Sequence, residues 1–387
     1  MLKPARLLAA AILYGGTPAL ASEPAVSLPA PPPPALGVPL QLPRAAAAAP
    51  AMPVESAPRS AAETEAPHIA LLLPLNSGTF ARHAEAVRNG FLAAAKVQGR
   101  VPLPLRIYAV NEDGQHSVEG YRRALAAGAR VVVGPLTRNG VTAIAESAMV
   151  MVPTLALNVP EGRMPPLRDF YVLSLQVEAE ARQVAQLAYL DGRRNALTVN
   201  GDTLLMRRIH QAFVEEFTRL GGAHVVEFAF TSDPAGLTRI KQAASLGVAD
   251  MAFLALDFPR ARLARPYLDP LALYASSQVH PGNAGPLAGF DLASVRLLDM
   301  PWLLQPDHPA VMVYPRSEHR DAVELDRFYA LGIDAFRIAQ ELLAGKTEVA
   351  LDGVTGRLTL GRDHHFARAL TAAQFNDGKL LISRDKP

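Results

Sequence analysis

The chain has 387 residues, half of them hydrophobic, and a formal net charge of +2. That length allows a large core divided over two or three domains, and a charge so near zero leaves no electrostatic footprint for nucleic acid. There is no Cys, which excludes disulfides, Cys-ligated metals, thiol catalysis and the lipid anchor that is built on a Cys after a cleavage site.

Residues 1–22 have the layout of a signal peptide: basic Lys3 and Arg6, a short apolar run over 7–14, and small residues Ala19, Ala21 and Ser22. The run is well short of the ~20 residues a membrane span needs, and no later segment approaches that length. Residues 23–67 are rich in Pro and Ala, without periodicity. They read as a disordered linker, because few large hydrophobes are available to offset the entropy of ordering. The expected product is a periplasmic protein, soluble after signal-peptide cleavage, with no membrane anchor.

From residue 68 the pattern changes to alternating strands and helices. "HIALLLPL" reads as a buried strand, 79–97 as a helix, "LPLRIYAVNEDG" as a strand, and "SVEGYRRALAAGA" as a helix ending at Gly128. "RVVVGPL" and "VPTLALN" are strands on either side of the helix "RNGVTAIAESAMV". A second round begins at "DFYVLSL". The helix 177–190, strand "NALTVNG" and helix 204–220 are followed by Gly221-Gly222, a good helix stop. "AHVVEFAF", a helix over 237–245, "ADMAFLAL", the helix "FPRARLARPYL" and the strand "LALYASS" complete that round. "VRLLDMPWLL", a long helix over 321–343 and the hairpin-like "GVTGRLTLGRDHHFARAL" close the chain. Short β-branched strands between amphipathic helices predict α/β architecture, with parallel sheets covered on both faces. Two consecutive βαβ series predict two lobes.

Several of these stretches resemble the penicillin-binding protein activator family, C-terminal domain, and through it the type I periplasmic-binding-protein fold. They are "IALLLPLNSGTFARHAEAVRNGF", "RVVVGPLTRNGV", "PTLALN", "FYVLSLQVEAEARQVA", "ALYASSQVHPG", "LLDMPWLL", "ALGIDAFRIAQEL" and "GVTGRLTLGRDHHFARAL", in the family's order over 68–382. The resemblance implies two Rossmann-like lobes joined by three crossover strands within 68–387. Lobe 1 is expected over about 68–168 and 283–345, and lobe 2 over about 169–282 and 346–387. It also implies a regulator that stimulates a bifunctional penicillin-binding protein in peptidoglycan synthesis. The chain departs from the family in lacking the lipidation Cys and in carrying the Pro/Ala tract where a helical-repeat domain would stand.

In such a fold the turns after the strands line a cleft between the lobes. In the first lobe these turns offer Asn76, Ser77, Thr79, Thr137, Arg138 and Asn158. Their hydroxyls and amides, with exposed helix N–H groups, suit a carboxylate or another anion. The alternative is that Ser77, Thr79, Thr137 and Asn139 cap the helices that follow. Tyr171 could stack on a ligand or pack at the crossover. In the second lobe Asp202 and Asp257 are the acids available to an ammonium group, and Asp257 could equally cap its helix.

Other chemistry is poorly represented. There is no G-x-S-x-G, Walker loop or G-x-G-x-x-G, so neither an enzyme nor a bound cofactor is expected. His364-His365 is the most metal-like pair, but neighbours on a strand face opposite ways. Glu112-Asp113 and Glu215-Glu216 read as solvated carboxylates. The expectation is a periplasmic regulator that binds and activates a bifunctional penicillin-binding protein. The alternative is a solute-binding protein of an ABC transporter, holding an amino acid or small anion as its cleft ligand.

Overall fold

The computed structural model describes residues 66–162, 164–282, 287–317 and 322–383. The signal peptide and almost all of the linker therefore lie outside the described residues. The first series runs β1 (His68–Leu73), α1 (Ala81–Gln98), β2 (Leu105–Ala109), α2 (Gly114–Ala126), β3 (Ala129–Val133), α3 (Arg138–Glu146), β4 (Thr154–Ala156) and β5 (Phe170–Val172). The second runs α4 (Val177–Leu190), β6 (Asn195–Asn200), α5 (Leu204–Arg219), β7 (Ala223–Ala229), α6 (Pro234–Ser245), β8 (Met251–Ala255), α7 (Phe258–Ala264), β9 (Ala272–Ala275) and β10 (Arg296–Asp299). Then follow α8 (Pro301–Leu304), α9 (Pro309–Met312), α10 (Val323–Leu343), β11 (Ala350–Asp352), β12 (Arg357–Leu360), β13 (Phe366–Ala369), β14 (Thr371–Asn376) and β15 (Lys379–Ile382).

The first sheet has the order β2-β1-β3-β4-β5 and is parallel throughout. Its period of two is visible in β1. Ile69, Leu71 and Leu73 join a core with α1 and α10, while Ala70 and Leu72 join another with α2 and α3. The second sheet has the order β15-β14-β10-β9-β8-β6-β7, parallel except for β14 and β15. Leu197 and Val199 face one core of that lobe, and Ala196 faces the other with α4 and α5. Each sheet is thus buried on both faces. The chain passes between lobes three times, after β5, after β10 and after β13.

Helix starts follow capping chemistry. Asp113, Thr137, Thr203, Asp233 and Asp257 each accept a backbone N–H of the first turn of α2, α3, α5, α6 and α7. Helices α1 and α10 meet at two glycines. A Cβ at Gly90 would lie 1.9 Å from Tyr329 O, and one at Gly332 would lie 2.1 Å from Val87 O. Only glycine lets these backbones approach so closely. The "RNGF" and "ALGID" stretches are therefore packing motifs.

Two sequence expectations need correction. β10 lies in the second sheet beside β9, so lobe 2 extends to residue 299 rather than 282. Residues 350–369 form a third, three-stranded antiparallel sheet. Val349, Val354, Leu358 and Phe366 from this region pack into the α1/α10 core, so it belongs with lobe 1 rather than lobe 2. Residues 371–382, within the expected bounds of lobe 2, form the β14/β15 hairpin that widens the second sheet.

Candidate functional site

The first-lobe turns converge on one hydrogen-bonded knot. Ser77, 6% exposed, donates its hydroxyl to Glu112 Oε2 and accepts the backbone N–H groups of Thr79 and Phe80 at 3.1 and 2.8 Å. Thr137 donates to the backbone oxygen of Glu112 at 2.9 Å and accepts the Gly140 N–H at 3.3 Å. Asn158 donates to Leu136 O at 3.0 Å and accepts the Val159 N–H at 2.9 Å. Asn76 and Thr79 remain exposed at the turn. Glu112 is a structural acceptor here rather than a solvated carboxylate. Asp113 beside it is held below the usual carboxylate range, chiefly by the His116 backbone N–H.

In the second lobe Arg260 sits between the two acids. It reaches Asp257 at 2.8 Å and Asp202 at 3.2 Å, and its own N–H caps onto Asp257 at 3.0 Å. The carboxylates proposed for a ligand ammonium are thus already paired with a guanidinium. Among the described residues, no hydrogen bond or ion pair joins this set to the first-lobe knot.

Two predicted residues lie elsewhere. Tyr171 belongs to β5 of the first sheet, and its ring lies 5.2 Å from that of His364. Burial, then Asp169, pushes its phenol up. Arg138 lines a cavity of about 370 Å³ with Val159, Met164, Phe170, Gln176 and His365; its buried Nε has no hydrogen-bond partner. His364 sits in the turn before β13, and His365 forms an isolated parallel bridge with Val172. His364 has a positive φ of 63° and donates from Nδ1 to Leu167 O at 2.8 Å. Glu216 is not solvated either: it is 7% exposed and bound by Arg219 and Gln186.

Sequence reasoning missed the buried charges where the lobes join. Glu180 of α4 accepts the backbone N–H and hydroxyl of Ser277 at 2.6 and 2.9 Å. Arg327, from α10 of the first lobe, reaches Asp299 and Ser277 O of the second at 2.7 and 3.1 Å. Burial foremost, then the Asp299 charge, raises the Glu180 carboxyl to about 7, while Ser277 and Arg327 oppose the rise. These residues stand far apart in sequence, and no local spacing announces them.

A family model described as "LppC putative lipoprotein" matches residues 43–250 and 249–378. The chain belongs to this family. A curated relative from Pantoea ananatis, named penicillin-binding protein activator LpoA, is 28% identical over 302 residues, which are 66% of this chain and 44% of the relative. The chain therefore spans less than half the length of that relative. The C-domain of LpoA from Haemophilus influenzae, described as a regulator of PBP1A, superposes with a TM-score of 0.68 at 24% identity, covering 82% of this chain and 99% of that one. A structure from Chromobacterium violaceum, described as a "putative branched-chain amino acid ABC transporter", matches with a TM-score of 0.67 and 41% identity, covering 79% and 99%. The fold is that of type I periplasmic binding proteins, and no helix among the described residues is long and apolar enough to cross a membrane.

Proposed function

We propose that this LppC-family chain is a non-catalytic, periplasmic regulator of peptidoglycan synthesis that binds and activates a bifunctional penicillin-binding protein. The similarity to LpoA from P. ananatis carries the reading. The state of the turns supports it, because the groups that would grip an amino acid are engaged with one another. The test is a pull-down of the protein with purified bifunctional synthases from the same cell, with glycan polymerisation measured alongside. Retention of a synthase and faster polymerisation are expected; absence of both would reject the reading.

The similarity to the C. violaceum chain favours a second reading, a solute-binding protein for an amino acid or small anion. A thermal-shift screen of amino acids and cell-wall fragments separates the two. A ligand at 100 times its Kd stabilises by about 2.7 kcal/mol, so a carrier would give a clear hit and a docking module a flat response.

A further inference from the structure

We propose that His210, His224 and Glu227 form a binding site for a divalent transition-metal ion of the zinc class, on the outer edge of the second lobe. The site is created by an irregularity in the edge strand β7. His224 is opposite Ala196 of β6, but Leu197 is opposite Val226 and Thr198 is opposite Glu227, so the register shifts by one residue. In an undisturbed strand residues 224 and 227 would face opposite sides. The extra residue returns Glu227 to the side of His224, as a β-bulge does. That side is the one on which Ala196 packs against Ile209 and Phe213 of α5, and His210 projects from the same helix. A donor atom from each of the three lies within 4.8 Å of the others.

The hydrogen bonding leaves a place for a cation. His210 Nε2 and His224 Nε2 each lie 2.9 Å from Thr198 Oγ1. A hydroxyl oxygen has two lone pairs, so it can accept the Nε2–H of both rings, which leaves each Nδ1 unprotonated and able to take a metal. His210 Nδ1 then faces Glu227 Oε1 at 3.8 Å, too far for a hydrogen bond. Two donors bound at ~2.0–2.1 Å to a tetrahedral ion stand about 3.4 Å apart, so a small side-chain movement closes the gap. Thr198 would orient both rings from behind, the role a hydrogen-bonding neighbour has in metal sites. Glu227 is 48% exposed and His210 12%, which leaves a solvent route for the ion and a position for water. Two imidazoles with one carboxylate suit zinc, copper or nickel, whereas magnesium and calcium prefer oxygen ligands alone. The bound ion would tie α5 to the sheet edge.

Calorimetric titration of the untagged, EDTA-treated protein with zinc tests this. One saturable site is expected, with no binding of magnesium. Zinc at 100 times its Kd should raise Tm by about 5 °C. His224→Ala and Glu227→Gln should each weaken binding at least tenfold. Glu227 is exposed enough for its replacement to leave the melting point in EDTA unchanged, which separates ligation from folding. His116→Ala, removing another imidazole beside a carboxylate, should have no effect. Absence of saturable zinc binding, or equal affinity in Glu227→Gln, would overturn the proposal. So would a loss of binding in His116→Ala.

Discussion

The carboxyl of Glu180 is the most informative single group to perturb, because it couples proton binding to the junction of the two lobes. It is 7% exposed, and its carboxyl is held at about 7 rather than the ordinary 4.5. Below pH 4.5 it is protonated in both folded and unfolded chains, and above pH 7 it is ionised in both. Between the two, the folded protein keeps a proton that the unfolded chain has lost. The raised value therefore contributes stability that is fully present below about pH 4.5 and is lost as pH rises through 7. One pH unit of difference corresponds to about 1.4 kcal/mol, so the change is up to about 3.5 kcal/mol over the window. Asp299, Arg327 and Arg368 all bear on this carboxyl or its partners, which makes that figure an upper bound.

Glu180→Gln keeps the shape and the acceptor for the Ser277 N–H but cannot ionise. Urea denaturation at pH 5, 6, 7 and 8 should show the variant gaining on the native protein as pH rises. At pH 5 the two should differ by no more than about 1 kcal/mol, the worth of one altered neutral hydrogen bond. By pH 8 the balance should have moved towards the variant by up to about 3 kcal/mol. Parallel pH profiles for the two proteins would refute the assignment, since the carboxyl would then titrate alike in the folded and unfolded chains.

Gly332→Ala should destabilise by about 2 kcal/mol despite the roughly 1 kcal/mol that alanine gains in helix propensity, because its Cβ would lie 2.1 Å from Val87 O; an unchanged urea midpoint would mean that α1 and α10 separate freely. Asp334 is 0% exposed and accepts Val354 N, Thr355 N and Thr355 Oγ1 at 3.0, 2.7 and 2.7 Å. Asp334→Ala should therefore cost about 3 kcal/mol in the same assay, and a loss under 1 kcal/mol would show the β11/β12 turn satisfied by water. Asp257→Ala should cost about 1 kcal/mol as a lost helix cap and leave any thermal response to amino acids unaltered. An amino-acid shift present in the native protein and absent in this variant would instead favour the solute-binding reading.

How much of this was legible depends on the range of the interactions. The strand "HIALLL" declares itself by composition, and its alternation matches the two cores it feeds. The closing hairpin also had a local signal: Asn376-Asp377-Gly378 supplies a turn in which Asp377 and Gly378 have φ of 46° and 76°, the positive values that an Asp-Gly hairpin turn uses. Sheet membership is different. Nothing in "VRLLD" states which sheet β10 joins, because a four-residue buried strand reads the same in either lobe. The Ser77 and Thr137 sites were located by turn position, but their partner Glu112 lies 35 and 25 residues away. The Glu180, Ser277, Asp299 and Arg327 cluster exists only once the crossovers have been made. The His224/Glu227 pair is hidden for another reason: strand periodicity separates them, and only the shifted register reunites them.

That distinction bears on the use of the cleft. A binding protein for amino acids presents free donors on one lobe and a free acid on the other. Here the Ser77 hydroxyl, the Thr137 hydroxyl and the Asp257 carboxylate each have internal partners. A ligand entering at these groups must exchange existing hydrogen bonds for new ones. With each net bond worth about 1 kcal/mol, three exchanges leave almost nothing to offset the loss of ligand freedom, which costs at least about 4 kcal/mol. Exposed Asn76 and Thr79 remain beside these groups, and Arg138 lines a cavity whose walls do not include Ser77, Thr137 or Asn158. The contacts that join the lobes lie away from these turns, at the base of α10. Arg327 reaches from the first lobe to Asp299 and Ser277 of the second, and the Ser77/Glu112/Thr137 knot stiffens the rim opposite. A rigid two-lobed surface presents the same face to a protein partner at every encounter, which lowers the ordering cost of docking. It is the physical reason to look for the partner of this chain among proteins rather than among solutes.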